Sequence, residues 1–177
     1  MWGRIKMEPA GFFKVMLLTY TNLFNFNGYQ DRRSFMYFLI GFSFQALIVL
    51  ALVYLEAKVT AWINNHTLAI VTTLLLGVLL LAFAFTTIIS TFGSFVRRLH
   101  DMGYSGILFL LVVIVSSLFV FLGYKSLTLI SIGIFISGAF TLFLIFAPSQ
   151  VEDNKYRSKN PFLVRPKFVE EVFSFEE

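Results

Sequence analysis

The sequence predicts an all-α membrane protein: four transmembrane helices in a compact bundle, preceded by an interfacial helix. Three observations carry that prediction. Of 177 residues, 58% are hydrophobic and only 14% charged, whereas a soluble domain carries about a quarter charged residues. Four apolar runs approach the roughly 20 residues that a helix needs to cross a bilayer core. The cationic side chains gather on alternate connections between those runs. Lipid offers no partner to backbone polar groups, so the runs must be helices or strands of a closed barrel. They are continuous rather than alternating, and too long for barrel strands, which leaves helices.

An N-terminal arm, residues 1–33, comes first. Residues 1–9 are polar, and the apolar stretch after them lacks a small-residue cleavage site, so no cleaved signal peptide is expected. Phe12, Phe13, Met16, Leu17, Tyr20 and Phe24 fall near one face of a helix over residues 11–26, with Lys14, Thr21, Asn22 and Asn25 elsewhere. That pattern fits a helix lying in the membrane interface; the alternative is a loosely packed arm.

The membrane domain follows at residues 34–147. Its first span covers 34–55, with Asp31 and Ser34 both able to cap the opening turn. The second, 67–96, is longer than one crossing requires and predicts tilt, or a helical extension over 93–96. The third apolar run, 107–122, is short. It reaches span length over 103–124, which places Tyr104 and Tyr124 at headgroup depth. The fourth covers 127–147, and Pro148 stops it. Residues 123–126 suffice for a tight hairpin between the last two, with Gly123 at the turn. In the tail, 148–177, Phe168, Val169, Val172 and Phe173 share one side of a short helix that Pro166 would start.

Lys and Arg set the orientation. Arg4, Lys6, Lys14, Arg32 and Arg33 precede the first span, Arg97 and Arg98 lie between the second and third, and Lys155, Arg157, Lys159, Arg165 and Lys167 follow the fourth. Only Lys58 and Lys125 fall on the other side. Both termini and the Arg97 segment are therefore expected in the cytoplasm.

The same inventory excludes several chemistries. With no Cys there is no disulfide, thiol catalysis or thiolate metal site. The basic residues flank apolar runs rather than line a polar domain, so nucleic acid is not an expected partner. His66 and His100 are the only histidines and are expected on opposite membrane faces, so no metal or other cofactor is anticipated. His66 beside Asn64 and Asn65 reads as a solvated turn. The four spans contain no Asp, Glu, Lys, Arg or His, which counts against an ion-coupled transporter. Gln45 is expected to make an interhelical hydrogen bond, and Gly133 with Ser137, and Ser90 with Ser94, to mark close-packing faces.

One stretch concentrates the polar chemistry: Arg97-Arg98-Leu99-His100-Asp101-Met102-Gly103-Tyr104-Ser105-Gly106. Arg97 and Asp101, four apart, are expected to pair on one helix face. Arg98 then points toward lipid phosphates or a carboxylate such as Asp31. Gly103 and Gly106 permit a sharp reversal, and Ser105 reads as turn chemistry. Three readings remain open: a structural clasp at the membrane surface, a site for an anionic lipid or partner, and a catalytic base formed by His100 and its orienting Asp101. No nucleophile stands in a recognised setting nearby, so no catalytic residue is assigned.

Arg97 to Asp101, with Gly103, Ser105 and Gly106, resembles the R-R-L-H-D-x-G-x-S-G signature of the family of unknown function numbered 805, the YhaH-like small bacterial inner-membrane proteins. Phe26, Gly28, Arg32 and Phe35 resemble that family's opening, and Asn154, Tyr156 and Pro161 echo its tail. Tyr29, Met36, Ile107 and Arg157 depart from its usual residues. The resemblance covers about residues 12–161 and implies a location, the bacterial inner membrane, without implying an activity.

The function expected is therefore non-enzymatic: an integral protein that presents a basic cytoplasmic surface, built from Arg32, Arg33, Arg97 and Arg98 with the tail. Its partners would be anionic lipid headgroups, a membrane protein or a second copy of the chain. The alternatives are a small transporter or channel component and a membrane enzyme using His100 and Asp101.

Overall fold

The computed structural model describes residues 8–63, 66–156 and 160–164. The proposed helix at residues 167–175 lies outside the described residues. The described residues form five helices and one two-stranded sheet: β1 (Glu8–Pro9), α1 (Phe12–Thr21), α2 (Arg32–Trp62), α3 (His66–Asp101), α4 (Ile107–Leu122), α5 (Leu127–Phe146) and β2 (Leu163–Val164). β1 and β2 pair antiparallel, which ties the start of the chain to its tail.

All four apolar runs are helical, with bounds that differ from the prediction. α2 starts where expected, because the Asp31 side chain accepts from Ser34 N at 3.2 Å and caps the first turn. It then continues past residue 55 to Trp62, since Glu56, Ala57 and Lys58 are good helix formers. α3 runs unbroken through the Arg97 motif to Asp101, five residues past the expected end of the second span at Val96. Nothing between Val96 and Asp101 breaks a helix, and the motif's glycines come only afterwards. α4 begins at Ile107 rather than near Gly103. It is therefore 16 residues long, about 24 Å at 1.5 Å per residue. Among the described residues, α2, α3 and α5 are the three helices long and apolar enough to cross a membrane alone.

The helices converge at one end only. Phe35, Phe38, Phe95, Leu99, Met102, Phe109 and Leu144 form the main core, and all sit near the end that carries the Arg97 motif. The opposite halves of α2 and α3 expose Leu47, Leu50, Leu74, Leu75, Val78 and Leu79. Compactness is thus confined to the polar end, and the remaining apolar surface requires cover from outside the chain.

α4 and α5 form the closest pair. A Cβ at Gly133 would lie 2.7 Å from the Ser116 carbonyl oxygen, so the small residue is what permits the approach. Gly123 makes the turn between them, and a Cβ there would sit 2.8 Å from Ile130 N. Gln45 makes the expected interhelical bond, donating to Thr87 Oγ1, and it also accepts from the Tyr20 hydroxyl at 2.5 Å. That chain links α1, α2 and α3.

Candidate functional site

The Arg97 motif lies where the ends of three helices and two connecting segments meet. Helix ends leave carbonyls without intrahelical partners, and the motif's side chains satisfy many of them. α3 terminates in a Schellman turn: Tyr104 N donates to Leu99 O at 2.9 Å and Gly103 N to His100 O at 3.1 Å. Gly103 adopts φ +81°, a conformation that any Cβ disfavours. An added Cβ would also overlap Gln150 Oε1. Gly106 serves differently. Its backbone is ordinary right-handed helix, but a Cβ would lie 2.7 Å from Val96 Cγ1, so glycine lets α4 start against α3. Ser105 stands just before it, with its Oγ 3.4 Å from Ile107 N.

The two arginines diverge. Arg98 donates from Nε to Leu144 O at 2.9 Å and from Nη2 to Ala147 O at 2.6 Å, capping the C-terminus of α5. Its Nη1 pairs with Asp101 Oδ2 and donates to Ser149 Oγ at 3.2 Å. The Ser149 hydroxyl in turn donates to Asp101. The expected Arg97–Asp101 pair is therefore replaced by Arg98–Asp101. Only Arg98 faces α5, where a planar fork of donors meets outward carbonyls, and Asp101 joins it one turn away. Nor does Arg98 reach out to lipid phosphates: its side chain is fully buried.

Arg97 points back along α3, as helical side chains tilt toward the N-terminus. Its Nη1 lies 2.9 Å from where a Gly93 Cβ would be. There it donates to Asn25 O at 2.8 Å and Asn22 O at 3.2 Å, in the segment after α1. Phe162 lies beneath the guanidinium, with its ring centroid 5.3 Å from Cζ. Arg97 is also fully buried.

His100 and the tail complete the junction. His100 Nδ1 lies 3.2 Å from Gly28 O, and its ring stacks on Tyr156 at 4.6 Å between centroids and 6° between planes. Asn154 Nδ2 donates to His100 O at 2.7 Å and Asp101 O at 3.2 Å, and Gln150 N to Asp101 O at 2.9 Å. From the other side, Gln30 N donates to Arg97 O at 3.0 Å. The Gln30 side chain is fully buried, and neither of its amide atoms has a hydrogen-bond partner among the described residues.

Arg32 and Arg33 stand apart from this network. Both are exposed. Arg32 Cζ lies 6.0 Å from the Phe146 ring, and Arg33 Nε donates to the Tyr37 hydroxyl at 3.1 Å. The four arginines expected to share one surface thus separate into two buried and two exposed. The residues that sequence spacing missed are Gln30, Ser149, Gln150 and Phe162, together with the Asn22 and Asn25 carbonyls; none carries a charge that would mark it.

A family model described as a protein of unknown function, DUF805, matches residues 23–158. The chain belongs to this family. In this DUF805 protein the signature is a junction: Gly28 at one edge of the matched region and Asn154 and Tyr156 at the other both touch His100 or its backbone. No curated protein and no solved structure matches the chain.

Proposed function

We propose that this chain is a non-enzymatic integral protein of a bacterial inner membrane. It crosses the bilayer four times, with both ends and the Arg97 junction in the cytoplasm, and presents Arg32 and Arg33 to anionic lipid headgroups. One observation carries the choice of residues: Arg32 and Arg33 are exposed at the start of α2, whereas Arg97 and Arg98 are buried and bonded to the chain itself. The exposed apolar surface of α2 to α5 and the lopsided Lys and Arg distribution support the membrane placement. α4, shorter than a crossing on its own, spans by pairing with α5 and by local thinning or tilt.

A structural role for the motif accounts for its geometry better than catalysis does. The His100 ring is committed to Gly28 and Tyr156, and Asp101 to Arg98 and Ser149. A transport path finds less support: the cavity between α2 and α3, about 390 Å³, is lined by Phe42, Val49, Leu50, Leu80 and Phe83 around the Gln45–Thr87 bond, and in the larger α4–α5 groove, about 620 Å³, the Ser116, Ser137 and Thr141 hydroxyls are spent on carbonyls of their own helices.

The test is lipid retention. The protein is extracted into native lipid discs, and bound phosphatidylglycerol and cardiolipin are counted by mass spectrometry. Arg32→Gln with Arg33→Gln should lower the anionic fraction while the melting temperature holds. Unchanged retention in that variant would remove the proposed surface.

A further inference from the structure

α1 runs beside α2 in a fixed register. Phe12 meets Tyr37 edge-on at 5.9 Å between ring centroids. Met16 occupies the space a Gly41 Cβ would take. Tyr20 bonds Gln45, 25 residues further along the chain. All three pairs have that same separation, so the two helices point the same way and stay together for two turns. A helix lying flat against the membrane and crossing α2 would meet it at one level only.

The level matters. Gln45 lies about 20 Å along the α2 axis from Arg32, at 1.5 Å per residue. Apolar surface is already exposed at the level of Arg32: Phe146 beneath it is 67% exposed, and Ile107, which opens α4, 63%. Hydrocarbon that covers those two side chains also surrounds α1. The outward side chains suit it: on α1 Phe13 is 86% and Leu17 56% exposed, and in the turn after it Phe24 is 72% exposed. Lys14, near the start of the helix, reaches headgroups by extending its stem.

Residues 22–31 must then climb back to the start of α2 without helical bonding. Irregular backbone at membrane depth is stable only where protein supplies its partners. Arg97 supplies them. It aims away from the polar end, toward Gly93, and takes the Asn22 and Asn25 carbonyls. Among the described residues it has no carboxylate in ion-pair range. Higher up, Gly28 O meets His100 and Gln30 N meets Arg97 O.

We propose that residues 11–31 form a re-entrant hairpin that enters the cytoplasmic leaflet beside α2 and returns, held by Arg97, so that the Phe13–Leu17–Phe24 face contacts acyl chains. This rests on the membrane placement proposed above and replaces a helix lying in the headgroup plane.

The chain has no Cys, so nitroxide labels can be placed singly on the full-length protein at Phe13, Leu17 and Phe24, and at Ile40, Phe44 and Ile48 as a ruler on α2. Depth is read from oxygen against nickel-chelate accessibility in phosphatidylethanolamine–phosphatidylglycerol vesicles. The Leu17 label should lie deeper than the Phe13 label, by up to the roughly 6 Å that four helical residues rise, since α1 is inclined enough for Asn22 O to reach Arg97. Equal, headgroup-level depths at Phe13 and Leu17, with a normal gradient along α2, would overturn the hairpin alone. A flat ruler on α2 would overturn the membrane placement with it. Arg97→Met keeps an unbranched stem but offers no donor to the Asn22 and Asn25 carbonyls, which both bond Nη1, so it should raise nickel accessibility at the Phe24 label several-fold. No change there would overturn the role given to Arg97.

Discussion

Removing the Arg98 guanidinium should destabilise the protein more than any other single change at the polar end. Arg98 is fully buried, ion-paired to Asp101, and bonded to Leu144 O, Ala147 O and Ser149 Oγ. Arg98→Ala leaves Asp101 as an uncompensated buried charge, at a cost of about 3–5 kcal/mol. It also uncaps two α5 carbonyls. Arg98→Lys keeps an ammonium near Asp101 but lacks the planar fork. It should lose about two charged hydrogen bonds of roughly 1.5 kcal/mol each, so about 3 kcal/mol. The discriminating variant is Arg98→Met with Asp101→Leu. Both charges leave together, so the double variant should be more stable than Arg98→Met alone by about 2 kcal/mol or more. The assay is reversible unfolding in mixed detergent–SDS micelles, followed by tryptophan fluorescence. The reasoning fails if Arg98→Ala unfolds at the native midpoint, or if the second substitution adds to the damage of the first.

Smaller effects follow from the neighbouring residues. Asn154→Ala removes the donor shared by the His100 and Asp101 carbonyls and should cost about 1–2 kcal/mol in the same assay. Gly103→Ala meets both a positive φ and Gln150; we expect a loss of about 1–3 kcal/mol, and a native midpoint would contradict the turn. Gln30→Met replaces a buried amide that has no hydrogen-bond partner among the described residues with an apolar side chain of similar length, and should be neutral or stabilising by up to about 2 kcal/mol. A large loss of stability there would mean that the amide is bonded in the folded protein.

The apolar helices were legible because hydropathy depends only on which residues are adjacent in sequence. The Asp31 cap, the Gln45 bond and the close approach at Gly133 were legible for a similar reason: each is a local chemical need with few solutions. The motif was harder to read. Helical spacing allows Asp101 to meet either Arg97 or Arg98, and the choice is made by α5, whose carbonyls face only Arg98. The basic pair also resembled a loop, although Arg is a good helix former and α3 continues to Asp101. Gly106 looked like a second turn glycine, but its role is steric, set by Val96 on another helix. Burial of both signature arginines was invisible to charge counting, which treats every cation as surface. The tail residues Asn154 and Tyr156 were noticed as echoes of a family pattern, yet only the fold brings them onto His100.

The central claim is that the signature stitches three distant segments into one cooperative unit. Hydrogen exchange of the backbone amides of Ala10, Gln30 and Gln150 tests it most directly, because each donates across segments, to Phe162 O, Arg97 O and Asp101 O respectively. All three should exchange slowly with similar opening free energies in the native protein, and all three should speed up together in Arg98→Ala. If they exchange at open-chain rates while the middle of α3 stays protected, or if Arg98→Ala changes Gln150 alone, the junction is a set of independent contacts and the account is wrong.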